Sequence, residues 1–235
     1  MASTRTVQDT INWAATILKQ NPLQVANMEP GLTSAQIVLQ RMLGPPMRWR
    51  FNRGNFSFAI SPAGGTDYIV VVNDLGWIET QWLVDAAGII HQLEGAVELA
   101  MTTTPMRPKV MAPVYDDNAG NITFRLNAVP TAADTIAVDY QRKAPPITSY
   151  GCSWTPFPDE YGYIYTKLFL AAAAWLTGDL RAQMWGQEGA AALFGAQTGL
   201  TAQDRAIFLG EWERSMRSLA SAQDFSKAGN AGLTR

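Results

Sequence analysis

The segment PDEYGYIYTKLFLAAAAWLTG, residues 158–178, carries the signals of a buried helix from its first residue to its last. A proline followed by two carboxylates, at 158–160, is typical of a helix start, because acidic side chains are stabilised at the positive end of the helix dipole. Gly178 is a typical helix end. The apolar run at 168–176 is too short to cross a bilayer, and charged residues follow it closely. The segment therefore predicts a helix inside a protein core.

Two more helices are predicted downstream of this segment. Asp179 is placed to cap the first of them, which ends near Gln197. Thr201 and Asp204 open the second. The apolar side chains of this last helix that fall on one stripe are Ile207, Phe208, Trp212, Met216 and Leu219. The final ten residues, 226–235, show no periodicity and predict a flexible C-terminal tail.

Two helices are also predicted near the start of the chain. Apolar residues between Val7 and Leu18 recur at helical spacing, and an Asn-Pro pair at 21–22 ends the run. Thr33 is followed three positions later by Gln36, which is the spacing of a capping box. A second, short helix is therefore predicted from there to the Gly-Pro pair at positions 44 and 45.

The middle of the chain has the pattern of β-strands. Runs rich in β-branched and aromatic residues alternate with turns rich in Gly, Pro, Asn and Asp. The predicted strands are 50–60, 67–72, 77–84, 89–93, 109–115, 121–126 and 135–142. The segment 95–108 is interpreted as a loop, because Pro105 and Pro108 forbid a central strand. A helical turn or an edge strand at 97–101 is the alternative.

The order of these elements predicts an α+β fold in which the N- and C-terminal helices form an α-helical bundle with a central antiparallel β-rich insertion. The helical bundle is assigned to residues 1–47 and 148–225. The β-rich insertion domain is assigned to 48–147, and the flexible tail to 226–235.

The composition leaves much of the surface uncharged. Charged residues make up 16% of the 235 residues, against about 25% in a typical soluble domain, whereas the hydrophobic fraction of 47% is ordinary. Such a surface is expected of a protein that buries several faces against partners. A monomer with a surface rich in Ser, Thr, Asn and Gln is the alternative.

The net charge, the single cysteine and the lack of a recognisable targeting signal narrow the functional class of the protein. A net charge of −2 disfavours a protein whose main task is to grip nucleic acid, since that needs Lys and Arg in excess. Cys152 is the only cysteine, so no internal disulfide can form and folding in a cytosol fits. Residues 1–20 lack the continuous apolar core of a signal peptide, and no membrane anchor is expected.

The residues that most enzymes use are scarce. A Ser-His-Asp or Cys-His mechanism would have to use His91, the only histidine, whose alternating surroundings predict an imidazole on a strand face. The segment 151–154 resembles a cysteine-protease nucleophile only superficially, since no histidine follows it. One Cys and one His far apart exclude a zinc site. We therefore predict no enzyme, catalytic residue, metal or cofactor; an enzyme would need a site built on carboxylates such as Glu79 or Asp139.

The acidic run DDNAGN at 116–121 is similar to a calcium loop at first sight. Its glycine falls one place early, however, and the twelfth position is Asn127 where a glutamate is required. A turn between two strands is the interpretation that the pattern favours.

Two features suggest binding surfaces. Several arginines surround an aromatic pair with no acidic residue between them, which predicts contact with an acidic neighbour or with passing DNA. These predicted partner-binding residues are Arg41, Arg48, Trp49, Arg50 and Arg53, with Phe51 as the second aromatic residue. The alternative is that Trp49 and Phe51 belong to the core and that the arginines are solvated or paired locally.

The tryptophans are the second feature. Eight tryptophans could form a platform for a sugar, but Trp175, Trp185 and Trp212 fall in apolar helical stripes, where core packing is the better interpretation.

The chain resembles the head-to-tail adaptor proteins of tailed bacteriophages, in particular the tubular or gatekeeper proteins of short-tailed phages. The likeness spans nearly the whole chain and rests on the order of elements, on the segment MRWRFNR at 47–53, on the closing strand IAVDYQR at 136–142 and on the ending GLTR at 232–235. The β region is longer here than in the smallest such adaptors.

The resemblance implies a structural protein of the virion, made in the cytoplasm of a bacterial host and placed at the head–tail junction. A ring of twelve copies would dock beneath the portal protein, seal the capsid vertex, bind a downstream nozzle or tube protein and let the genome leave. Double-stranded DNA would touch it only transiently and without sequence specificity. The resemblance also implies a portal-docking tail that includes Ser226, Lys227, Gly232, Leu233, Thr234 and Arg235. The alternative is a tail-tube or baseplate component whose β domain binds a glycan.

Overall fold

A computed structural model describes residues 3–19, 31–96, 100–102, 104–117, 119–197 and 200–231, the last thirteen of them by their backbone. The helices within these residues are α1 (Val7–Leu18), α2 (Gly31–Leu43), α3 (Gly162–Thr177), α4 (Ala182–Gly195) and α5 (Ala202–Ala231). The strands are β1 (Arg53–Ile60), β2 (Asp67–Val71), β3 (Leu75–Val84), β4 (Ile90–Gln92), β5 (Glu94–Gly95), β6 (Val110–Asp116), β7 (Asn121–Leu126) and β8 (Asp134–Arg142).

The chain divides into two compact units. A helical unit comprises Met1–Phe51 and Ala144–Arg235, and a β unit comprises Asn52–Lys143. Each unit has its own hydrophobic core. The β domain predicted from the sequence, 48–147, is four residues longer at each end than the observed β unit.

The predicted fold class, an α-helical bundle of N- and C-terminal helices with one central antiparallel insertion, is wrong. Over the described residues the protein is α+β with five helices and two sheets of four strands, and the sheets lie between α2 and α3 in the chain. The helices pack around α3 at their centre, and one sheet contains a parallel pair of strands.

Helix α3 occupies the centre because its stretch 168–174 has no polar side. Eleven of its 16 residues are buried, including four consecutive alanines at 171–174 that cover a full helical turn. A helix that is apolar all round must be covered all round. Helices α1, α2, α4 and α5 all pack against α3 and provide that cover.

Small residues let α4 approach α3 closely. A Cβ atom added to Gly189 would lie 2.8 Å from Leu168 Cδ2 and 3.2 Å from the Leu168 backbone nitrogen. Because backbone cannot yield as a flexible side chain does, this glycine sets the distance between the two helices.

The start of α1 is fixed by two residues that are close in sequence. Thr6 caps the helix, and its side chain exchanges hydrogen bonds with Asp9 in a capping box. The capping box predicted for α2 is wrong, because Thr33 already lies inside that helix. Gln36 uses its side chain elsewhere: Nε2 donates to the Pro145 carbonyl oxygen at 3.2 Å, and Oε1 accepts from the Ile147 N–H at 2.6 Å.

Asp159 holds the N-terminal segment to the start of α3. Its carboxylate accepts hydrogen bonds from the Thr4 hydroxyl (2.6 Å), the Ser3 hydroxyl (2.9 Å) and the Thr4 N–H (3.0 Å). These bonds, the Thr4 hydroxyl above all, lower the pKa of Asp159 to about 2. Asp159, which the sequence placed at the start of a helix, therefore also joins two segments more than 150 residues apart in the chain.

The β unit contains two sheets that share one core. Their strand orders are β1-β8-β3-β4 and β2-β7-β6-β5. Strands β5 and β6 pair in parallel, and the other described pairs are antiparallel. The buried residues of this core are Ile60, Val72, Leu83, Leu93, Met111, Ile122, Phe124, Leu126, Ile136, Val138 and Tyr140.

A buried glutamine joins the two sheets. Gln81 lies on β3, and its Nε2 donates to the Glu94 carbonyl oxygen on β5 at 2.7 Å and to the Met111 carbonyl oxygen on β6 at 3.2 Å. The predicted turn lies between β6 and β7, where the Asp117 carboxylate accepts from the Ala119 and Asn121 N–H groups. The Asp117 carboxylate thus binds backbone N–H groups of the turn, as expected of a turn between two strands.

Gly189→Ala should destabilise the helical unit by about 1–3 kcal/mol, because the new methyl group would push α4 away from α3. Urea unfolding followed by circular dichroism would measure the change. Gly195→Ala is the matched control, since nothing lies within 4 Å of a Cβ added there, and it should leave stability unchanged or raise it by up to about 1 kcal/mol. Equal loss in both variants would contradict the close-approach argument.

Asp159→Asn should weaken the protein at neutral pH and flatten its acid sensitivity. Since the pKa of Asp159 falls from an ordinary 3.8 to about 2 on folding, its stabilisation is present above pH 3.8 and is lost as the pH drops towards 2. Melting temperatures measured between pH 7 and pH 2 would show the effect. Glu160→Gln removes the same charge one residue away and should keep the acid-side slope of the wild-type protein.

Candidate functional site

The predicted arginine-rich surface is organised around a buried tryptophan. Trp49 is 2% exposed, and its Nε1–H donates to the Met42 carbonyl oxygen at 2.7 Å. Its ring packs against Phe51, Phe157 and Tyr161, with ring centroids 5.2, 5.1 and 5.0 Å away. The indole is therefore an anchor for the backbone in the core of the helical unit and offers no surface to a partner.

Arg48 and Arg50, which we call the arginine surface, are both exposed on either side of this anchor. The Arg48 N–H donates to Gln197 Oε1 at 3.0 Å, which fixes the backbone there. Within the described part of the chain, neither guanidinium forms an ion pair. Two solvated positive charges on a rigid support can bind an anionic group without first breaking an internal bond.

One acidic group offsets part of this charge. Thr201 and Asp204 form the start of α5, where the Asp204 carboxylate accepts from the Thr201 N–H at 2.8 Å. That bond is the main reason why the pKa of Asp204 is lowered, and the charge of Arg48 contributes to the same shift. Asp204 remains bound to Thr201, so the arginine surface keeps its capacity for an external anion.

The other two arginines of the predicted set have local partners. Arg41 pairs with Glu211 of α5, and its Nε donates to the Ser215 hydroxyl at 3.1 Å. Arg53 belongs to the β unit, where it pairs with Glu79, whose side chain is 2% exposed. These two guanidinium groups stabilise their own units, and the structure leaves Arg48 and Arg50 as the accessible charges.

The predicted portal-docking tail lies partly beyond the described residues. The α5 backbone stays helical to Ala231, and therefore through Ser226 and Lys227. Gly232, Leu233, Thr234 and Arg235 lie outside the described residues. Thirty helical residues extend about 45 Å.

Large exposed apolar side chains are the feature that sequence reasoning missed. Leu180, in the turn between α3 and α4, is 99% exposed, and Met184 follows it on the first turn of α4. Trp13 and Ile17 lie on the outer side of α1, opposite its buried stripe. Their i, i+4 spacing on the face without core positions was a signal that could have revealed the α1 pair.

The groups with possible chemical reactivity are separate. His91 lies on β4, with Nε2 3.1 Å from Asp85 Oδ2, and Arg107 contacts the same carboxylate. In the helical unit, a hydrogen bond from Ser149, with others from its neighbours, lowers the pKa of the Cys152 thiol to about 7. The described residues contain no group of three His, Cys, Asp or Glu side chains that could hold a metal ion.

No protein-family model and no curated protein matches this chain. None of the helices in the described ranges is long and apolar enough to cross a membrane. The arginine surface must therefore be interpreted from its own geometry and charge, which fit an anionic group on a protein or a phosphate backbone.

Replacing both Arg48 and Arg50 by Glu should lower the melting temperature only slightly, since neither guanidinium loses an ion pair within the described structure and Arg48 loses only its minor attraction to Asp204. Trp49→Ala should instead cost about 3–5 kcal/mol, because it opens a cavity in an aromatic cluster. Thermal unfolding of the three proteins gives the comparison. Marked destabilisation by the double arginine variant would mean that these charges serve the fold.

Proposed function

We propose that the chain is a structural virion protein that forms a ring-shaped head-to-tail adaptor of a tailed bacteriophage. In this role the ring, most simply of twelve copies, lies between the portal protein and a downstream nozzle or tube protein. It seals the filled capsid vertex and gives the genome a channel on ejection. The resemblance of segments 47–53 and 136–142 to such adaptors supports the proposal.

The observation that carries the proposal is the exposure of large apolar side chains at two places on the helical unit. We call Leu180 and Met184 the turn patch, and Trp13 and Ile17 the α1 patch. A fully solvated leucine gains about 1.5–3 kcal/mol when a partner buries it. Two different patches suit a heterologous interface, in which one patch of each copy meets the other patch of its neighbour. Such contacts form a ring when the rotation from one copy to the next closes on itself.

The charge distribution fits the same function. A chain with a net charge of −2 would not retain passing DNA, because tight binding needs an excess of cations that neutralise phosphates. Arg48 and Arg50 are then available for an acidic surface of the portal or tail partner. Charge pairs of this kind contribute mainly to the rate and specificity of docking.

Leu180→Glu tests the ring. The side chain contacts almost nothing in the single copy, so the variant should fold with the stability of the wild-type protein. A carboxylate in the interface between copies would be desolvated, and assembly should be lost. Native mass spectrometry of the protein, alone and mixed with candidate portal rings, would measure the stoichiometry.

Ala86→Glu is the matched control, since Ala86 is exposed on the turn after β3 and belongs to the β unit. It adds the same charge and should assemble normally. Rings that form equally well from the Leu180→Glu protein would exclude the turn patch from the interface. A wild-type protein that stays monomeric and ignores the portal would contradict the adaptor function itself.

A further inference from the structure

A wide groove follows strand β3 in the β unit. Its volume is about 780 Å³, and it extends across the chain that continues into β5 and β6. The groove follows the edge of β3, because its lining includes the buried residues Gln81, Leu93 and Met111 as well as outward-facing ones. The lining residues relevant to binding are Trp77, Glu79, Trp82, Gln92 and Glu94. Both tryptophans are half-buried, so each indole is supported by the protein and also meets solvent. Aromatic walls with a few polar groups are typical of ligand sites.

A β-bulge places the two tryptophans on the same face of the sheet. Residues five apart on a regular strand point to opposite faces, because side chains alternate. In β3 the register with β8 shifts between Ile78 and Thr80, so that Glu79 is the extra residue. Trp77 then lies opposite Gln141, and Trp82 lies opposite Ala137.

The residues of β8 opposite the two tryptophans show which face of the sheet the tryptophans occupy and how far apart they stand. The buried core residues of β8 are Ile136, Val138 and Tyr140, so residues 137 and 141 belong to the other face of the sheet. Four residues of strand span about 14 Å. Trp77 and Trp82 thus stand on the face away from the core, at a separation greater than a single sugar ring can bridge.

The charge of the lining selects against anions. Glu79 and Glu94 both line the groove, whereas no Lys, Arg or His is found among the described lining residues. The Glu79 carboxylate is already engaged by Arg53 and Gln141, and Glu94 is exposed at the rim. A phosphate, a nucleic acid or an acidic glycan would find no cation among the described lining residues and would meet the negative charge of Glu94, so the groove suits a neutral ligand.

We propose that this groove binds a neutral oligosaccharide through Trp77 and Trp82. The C–H face of a sugar ring is apolar and packs on an indole, while its hydroxyl groups need hydrogen-bond partners. Gln92, which pairs with Trp82 across β3 and β4, and Glu94 supply such partners at the rim. The bulge at Glu79 is the feature that turns two separate indoles into one platform.

This inference goes beyond ring assembly and does not depend on it. The groove belongs to the β unit, whereas the turn patch and the α1 patch belong to the helical unit. A sugar-binding face on a virion ring would give the particle contact with a polysaccharide.

The test is a titration of the full chain with an array of neutral oligosaccharides that includes maltohexaose, cellohexaose and chitohexaose, with a heparin hexasaccharide as the anionic probe. Binding is followed by tryptophan fluorescence and calorimetry. At least one neutral hexasaccharide should bind with Kd below about 1 mM, and the matching monosaccharide should bind more weakly. Trp77→Ala and Trp82→Ala should each weaken binding about tenfold or more.

Tyr115→Ala is the matched control, because it removes an exposed aromatic side chain of β6 that does not line the groove, and it should leave the affinity unchanged. Trp82→Phe keeps an aromatic face and should recover part of the binding lost in Trp82→Ala, which separates stacking from damage to the fold. Binding to no neutral member of the array overturns the proposal. So does stronger binding of heparin, or wild-type affinity in both alanine variants. Native mass spectra of Trp82→Ala report ring assembly separately.

Discussion

The burial of helix α3 is the constraint on which the helical unit depends. Four consecutive alanines at 171–174 leave this helix without a side that could face water. Its neighbours must therefore come from both ends of the chain, and small residues such as Gly189 must allow them close. The N-terminal segment is held in the same place by Asp159. Once α3 is covered, large apolar side chains remain exposed on the outer side of α1 and around the turn before α4, and singly at Tyr163 and Ile207.

The β unit meets a different constraint, because two sheets must share a core although their strands differ in length. Strand β4 pairs with only three residues of the ten-residue β3. After β4 the chain enters the second sheet, and Gln81 on β3 is hydrogen-bonded to β5 and β6 of that sheet. The groove lies along the part of β3 that β4 does not pair with. A bulge at Glu79 allows the longer strand to keep its core residues inward while Trp77 turns outward.

Local signals in the sequence predicted local structure well. The turn between β6 and β7 and the apolar stripe of α5 rest on residues close in sequence. The structure has the turn, and of the stripe it buries Phe208, Trp212 and Met216 but leaves Ile207 50% exposed. Partners far away in the chain were beyond this reasoning. Gln36 has the spacing of a cap, yet it binds backbone near Pro145, and the division of the strands into two sheets follows from pairings that no single segment specifies. Likewise, Arg48 and Arg50 could be separated from Arg41 only once the partner Glu211 was known.

The helical unit is interrupted in sequence by the whole β unit, and this has a consequence for synthesis of the chain. Residues 52–143 are continuous, so the β unit has all its contacts once about 143 residues have left the ribosome. Helices α1 and α2 are made earlier, but they cannot bury their apolar faces until α3 emerges. They are the segments that need protection from aggregation in the nascent chain. A stop between residues 144 and 161 would release a complete β unit with two uncovered amphipathic helices.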